Sequence, residues 1–86
     1  MKLWFLYIIE CRDGSLYTGI TKDLEKRLAK HNAGVASKYT RGRRPVILKY
    51  RESFKSESSA RKREYELKSL SRADKEILIK SKQEKG

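Results

Sequence analysis

Apolar side chains fill every position from Leu3 to Ile9. A run of that length, rich in aromatic and β-branched residues, predicts a strand buried on both faces and so central in its sheet. Arg12-Asp13-Gly14 supplies a turn, with glycine available for positive φ. From Ser15 to Thr21 the pattern alternates: Leu16, Thr18 and Ile20 share one face, Tyr17, Gly19 and Thr21 the other. Asp23 opens a helix to about Asn32, and Asn32-Ala33-Gly34 ends it. At roughly 100° per residue, Leu24, Arg27, Leu28 and His31 lie on one side of that helix.

Residues 35 to 44 read as a loop. Pro45 leads into a third strand, Val46 to Arg51, at a sheet edge or at the strand's start. Ser56 begins a longer helix that places Ala60, Glu64 and Leu67 on one face. Ser71 caps a last helix, with Asp74 at its third position and Ile77-Leu78-Ile79 as its apolar contact. No repeat or linker divides the chain. One domain is expected over residues 1–80, followed by a polar, frayed tail at 81–86.

Charge changes the picture. Twenty-two Lys and Arg stand against eleven Asp and Glu among 86 residues, a formal charge of +11. A domain this small buries roughly 60% of its unfolded surface, so much of that charge meets water. It predicts polyanion binding, because each neutralised phosphate releases a counterion. The plain alternative is a basic protein with no such partner, but the charge is clustered. Lys38, Tyr39, Arg41, Arg43 and Arg44 share a segment without an acid, and Arg61-Lys62-Arg63 form a second cluster. Both are candidate backbone grips, with Lys22 as a further contact. Cys11 is the only cysteine, with no zinc spacing around it, which fits a reduced, cytoplasmic setting. Glu10 and Arg12 cut the first apolar run short, so neither a signal peptide nor a membrane span is expected.

Candidate chemistry gathers between Phe5 and His31. Tyr7 and Tyr17 lie on strands joined by a tight turn and can approach across the sheet, although strand tyrosines are ordinarily core aromatics. Gly19, inside a strand, marks close approach of a ligand or another backbone. Arg27 and His31 share the side of Leu24 and Leu28, where a cation needs an anion or a cleft. Glu64 faces inward within a basic run. It either pairs with a neighbouring arginine or holds a hard divalent ion, which needs one or two carboxylates plus water and phosphate oxygens.

Phe5-Leu6-Tyr7, Tyr17-Thr18-Gly19, the run Asp23 to Arg27 and His31 resemble the GIY-YIG nuclease superfamily. Asp13 to Thr21, His31 to Gly34 and Ala60 to Glu64 match its small stand-alone bacterial UPF0213-like members, and the likeness spans residues 3 to about 79. The resemblance implies an α+β fold, a three-stranded antiparallel sheet flanked by helices. It also implies an endonuclease using Mg²⁺ or Mn²⁺ to cut nucleic acid, DNA ahead of RNA, in a setting such as DNA repair. In that scheme Glu64 holds the metal and Arg27 steadies the scissile phosphate. Tyr7 activates water, with Arg27 and the metal favouring its phenolate; Tyr17 is the second active-site tyrosine and His31 relays the proton. The chain departs from the pattern in three places. Only the Tyr of the first tripeptide is kept, Ile20 stands where the repair-nuclease branch has lysine, and the late asparagine of many relatives is missing, Asn32 being the sole asparagine. The alternative reading is a nucleic-acid-binding module that cuts weakly or not at all. A monomer or weak dimer is expected, with targeting by structure such as flaps, branches or single strands.

Overall fold

A computed structural model of the chain describes residues 3–85, with side chains through residue 81. Its elements run β1 (Trp4–Glu10), β2 (Leu16–Thr21), α1 (Leu24–Ala33), α2 (Lys38–Arg41), β3 (Ile47–Phe54), α3 (Glu57–Lys68) and α4 (Arg72–Lys85). The three strands form one antiparallel sheet ordered β2-β1-β3. The all-apolar strand is therefore the central one, as the hydrophobic pattern predicts, and the strand that follows Pro45 lies at an edge, one of the two placements the proline allows.

β1 buries both faces because a helical layer covers each. Leu6 and Ile8 pack with Tyr50, Leu67 of α3 and Ile79 of α4 on one side. Tyr7, Ile9 and Cys11 pack with Leu24 of α1 and Val46 on the other. Alternation in β2 holds to the same division: Leu16 and Ile20 join the first cluster, Tyr17 the second. In register, Tyr7 pairs with Gly19 and Ile9 with Tyr17.

The caps match the residue types that predict them. Asp23 Oδ1 accepts the Lys26 N–H at 3.0 Å, and Gly34 closes α1 at φ 81°. Ser56 Oγ accepts the Ser59 N–H at 3.2 Å, and Ser71 Oγ the Asp74 N–H at 3.1 Å.

Four expectations are revised. Residues 38–41, expected in a loop, form α2, with Ser37 capping the Tyr39 N–H at 3.1 Å; one helical turn is too short to show a period. β3 extends to Phe54 because pairing with β1 continues as far as Trp4. Ile77 does not join the apolar contact of α4 but stands exposed, while Ile79 is buried. α4 runs to Lys85 through most of the expected polar tail; the side chains beyond 81, and Gly86 itself, lie outside the described residues.

Thr18 carries a cost. Its side-chain oxygen, in a residue 3% exposed, has no hydrogen-bond partner among the described residues. A buried hydroxyl left unpaired costs about 1–3 kcal/mol. Thr18→Val is therefore expected to raise stability by about 1 kcal/mol and Tm by roughly 4–8 °C. Thermal unfolding followed by circular dichroism checks this, and an unchanged or lower Tm would refute it.

Candidate active site

The site is built where α1 crosses the Tyr7 face of the sheet. The Tyr7 ring lies over Gly19, so close that a Cβ there would sit 2.5 Å from the Tyr7 hydroxyl oxygen. The approach expected at Gly19 is thus made by the chain's own tyrosine, and glycine is required for volume, not for φ. Tyr17 follows on the same face, its ring centroid 6.5 Å from that of Tyr7.

α1 delivers the imidazole. His31 is 0% exposed, and its Nε2 lies 2.9 Å from the Tyr7 hydroxyl. Its Nδ1 lies 2.8 Å from Oγ1 of Thr40, also 0% exposed. The Thr40 hydroxyl donates to the Ser37 carbonyl at 3.4 Å, which leaves its lone pair to accept a proton from Nδ1. This pattern assigns the Nδ1–H tautomer and turns the bare Nε2 toward the Tyr7 O–H. Thr40 had no signal in the sequence: a threonine in an apparent loop gains its role only because α2 folds against α1.

Electrostatics at Tyr7 run against the expected phenolate. Burial, then the neighbouring Tyr17, hold its pKa well above the ordinary phenol value; Arg27 pulls the other way without prevailing, and Glu64 adds to the rise. Tyr7 accordingly keeps its proton, and His31 is the neutral acceptor. Burial lowers the pKa of His31, and the charge of Arg27 lowers it further.

That depression has a consequence for stability. An unfolded histidine near the ordinary value of 6.5 takes a proton that the folded one refuses. Stability is therefore full above pH 6.5 and is lost as pH falls from there through the folded-state value. Urea unfolding between pH 8 and 5 is expected to show this loss, and His31→Gln to remove the slope in that window. An equal slope in the variant would show that another group is responsible. Asp13, held low by Ser15 and then Arg43, responds only in a more acidic range.

Tyr7, Tyr17 and His31 thus converge, and Arg27 and Glu64 both act on the Tyr7 phenol. Glu64 is the most enclosed of the basic segment's charges, with a side chain 18% exposed and Lys68 Nζ at 3.2 Å from Oε2. Among the described residues no three His, Cys, Asp or Glu are placed to hold a metal together. Glu64 therefore offers a single carboxylate, which suits a hard ion completed by water and phosphate oxygens better than zinc.

The candidate grips divide. Tyr39 stacks on Tyr17 at 5.8 Å, and the Arg43 guanidinium lies over the Tyr39 ring at 4.2 Å while pairing with Asp13 at 3.0 Å. Lys22 sits 5.3 Å from the Trp4 ring. Lys38, Arg41, Arg44, Arg61 and Lys62 are exposed. Arg61 reaches Glu57 at 2.6 Å, an exposed pair of small energetic weight. Arg63 is put to a different use. Its guanidinium meets both oxygens of Glu52, at 3.1 and 3.2 Å, and Glu66 at 3.2 Å. It ties α3 to β3 beside Tyr50, whose phenol burial and the Glu52 carboxylate push up to about 12.

The GIY-YIG catalytic domain model matches residues 3–77. A UPF0213 protein of Halobacterium salinarum is 59% identical over 74 residues, covering 86% of this chain and 96% of that protein. One of Staphylococcus saprophyticus is 57% identical over 79 residues, covering 92% and 96%. The solution NMR structure of a UPF0213 protein from Bacillus halodurans superposes with a TM-score of 0.62 at 48% identity, covering 93% of this chain and 85% of that one. These relatives' names state no activity. No described helix is long and apolar enough to cross a membrane.

Proposed function

The chain belongs to the GIY-YIG family, and from that premise and the geometry of the Tyr7 cluster we infer that it is a metal-dependent endonuclease hydrolysing phosphodiester bonds of nucleic acid, DNA ahead of RNA. The observation that carries the reading is the 2.9 Å contact between the Tyr7 hydroxyl and His31 Nε2. It aligns a phenol with an imidazole whose Nε2 is free to take its proton, the relay that general-base catalysis needs.

In this reading Tyr7 accepts a proton from the attacking water at Oη while passing its own to His31 Nε2. The imidazolium so formed keeps its Nδ1–H on Thr40. A phenol with a raised pKa is a poor free base, but concerted transfer requires no stable phenolate. Tyr17 borders the phenol and His31 and orients the incoming phosphate. Arg27 offers its guanidinium to the scissile phosphate, where negative charge builds as water adds and the bond to the leaving oxygen breaks, that oxygen departing to take a proton from solvent. Glu64 would hold Mg²⁺ or Mn²⁺, which when bound supplies Lewis-acid stabilisation of the phosphate oxygens. The exposed cations, Lys22, Lys38, Arg41, Arg44, Arg61 and Lys62, contact backbone phosphates and so confer little sequence preference. Tyr39, in contact with both Tyr17 and Arg43, forms the wall along which a strand approaches.

A second reading, a binding module that does not turn over, draws on two observations. Lys68 already occupies one oxygen of Glu64. The only asparagine, Asn32, spends its amide on Val46, accepting the Val46 N–H at 2.8 Å. Cleavage assays separate the two. Labelled single-stranded, flapped and branched DNA and RNA are incubated with the purified chain, with Mg²⁺ or Mn²⁺ and with chelator. Cutting that requires the ion supports the nuclease; retention of intact strands under every condition supports the module.

A further inference from the structure

While Thr40 turns inward to His31, its neighbour Arg41 turns to an open cleft of about 510 Å³, lined by Arg12, Asn32, Arg41, Gly42, Arg44 and Pro45. No acid lines it. Asp13, next to Arg12 in sequence, is already held by Ser15 at 2.6 Å and Arg43 at 3.0 Å. The walls are fixed. Arg44 Nε donates to the Arg41 carbonyl at 2.8 Å and a terminal nitrogen to the Asn32 carbonyl at 3.3 Å. Its plane covers Gly34, where a Cβ would come within 2.9 Å of that nitrogen. The Asn32 amide, bonded to Val46, cannot swing.

Capping the C-terminus of α1 accounts for Arg44 alone. It leaves Arg12 and Arg41 unexplained. Arg43, Arg61, Arg63 and Arg72 each meet a carboxylate. Among the described residues, the guanidinium groups of Arg12 and Arg41 have neither acid nor carbonyl partner. Three guanidinium groups around one concavity repel one another, and an anion between them turns that repulsion into attraction. Their planar forks match phosphate oxygens in pairs.

We propose that the Arg12–Arg41–Arg44 cleft seats a backbone phosphate of the bound nucleic acid, on a stretch of strand beyond the bond presented to Tyr7. The inference rests on nucleic acid being the substrate, and it adds a second anchor, built on the fixed Arg44, that holds the strand in place without reading its bases. α2 joins the two: Tyr39 and Thr40 serve the tyrosine cluster, Arg41 the anchor.

Binding to a labelled single-stranded oligonucleotide, measured in chelator across a salt series, tests it. The variant combines Arg12→Gln with Arg41→Gln; a control combines Lys55→Gln with Lys80→Gln, exposed positions outside the cleft. The cleft variant is expected to bind about tenfold more weakly at low salt. Its slope of log affinity against log salt should be shallower by about 0.7 for each phosphate that the variant no longer neutralises, with Tm unchanged. The control should move the slope much less. Equal changes in the two variants, or none in the cleft variant, would overturn the anchor while leaving the nuclease reading standing. Metal-dependent cleavage tests that reading separately.

Discussion

Glu64→Gln is expected to reduce metal-dependent cleavage by about 10²–10³-fold, the scale set by removing a principal electrostatic stabiliser of a transition state. The substitution keeps size and shape but replaces an anionic ligand with a neutral amide that binds a hard ion poorly. It also ends the pairing with Lys68, half exposed on its lysine side and worth about 0–1 kcal/mol. The fold should therefore be intact, with Tm within a few degrees of wild type. Single-turnover cleavage with a metal titration is the check. Wild-type activity should vanish in chelator and return with Mg²⁺ or Mn²⁺, and the variant should stay inactive at metal concentrations that saturate wild type. A Glu64→Gln protein that cuts as fast as wild type would remove Glu64 from the site.

Tyr7→Phe is expected to lower the cleavage rate by about 10²–10⁴-fold, the usual range for loss of general acid–base assistance. The effect is chemical as well as structural. Phenylalanine retains the ring that covers Gly19 but leaves His31 Nε2, at 0% exposure, without its partner at 2.9 Å. That vacancy should cost about 1–3 kcal/mol of stability, so rates must be measured where the variant is shown to be folded. The pH profile then separates the roles. With His31 neutral in the active form and its pKa lowered by burial and Arg27, the wild-type rate should fall as pH drops through that lowered value. In Tyr7→Phe the residual rate should lose this acidic limb. A folded variant with wild-type rate and profile would show that Tyr7 and His31 are only core.

Much of this arrangement is legible in the chain itself. Strand β1 declares itself by being apolar at every position, which only a central, doubly covered strand tolerates. The division of β2 into Leu16 and Ile20 against Tyr17 and Gly19 follows from a period of two. Asp23, Ser56 and Ser71 announce helices by the side-chain oxygens that caps require. Tyr7, Tyr17, Arg27, His31 and Glu64 can be picked out because polar groups of those kinds are out of place beside leucines, or because they match the family's pattern.

Other features exist only in three dimensions. α2 is a single turn held by its neighbours, so no periodic signal precedes it, and with it goes Thr40, which orients His31. Arg63 and Arg61 look alike in the sequence, yet one is forked onto Glu52 of β3 and the other is exposed. Gly19 reads as a place for a ligand until the register sets Tyr7 opposite it. The balance at Tyr7 is likewise a tertiary outcome: the sequence supplies Arg27 to favour phenolate, and in the metal-free chain burial outweighs it.

By itself, then, the sequence determined the three strands and the three longer helices, most of their buried faces, and which side chains are candidates for chemistry. Those properties follow from local periodicity and capping, which neighbouring residues decide among themselves. Tertiary structure alone decided who meets whom: the Thr40–His31–Tyr7 chain, the commitment of Arg63, and the grouping of Arg12 with Arg41 and Arg44. Contacts between residues far apart in the chain, and the desolvation that shifts their pKa values, depend on the packing of all the elements at once.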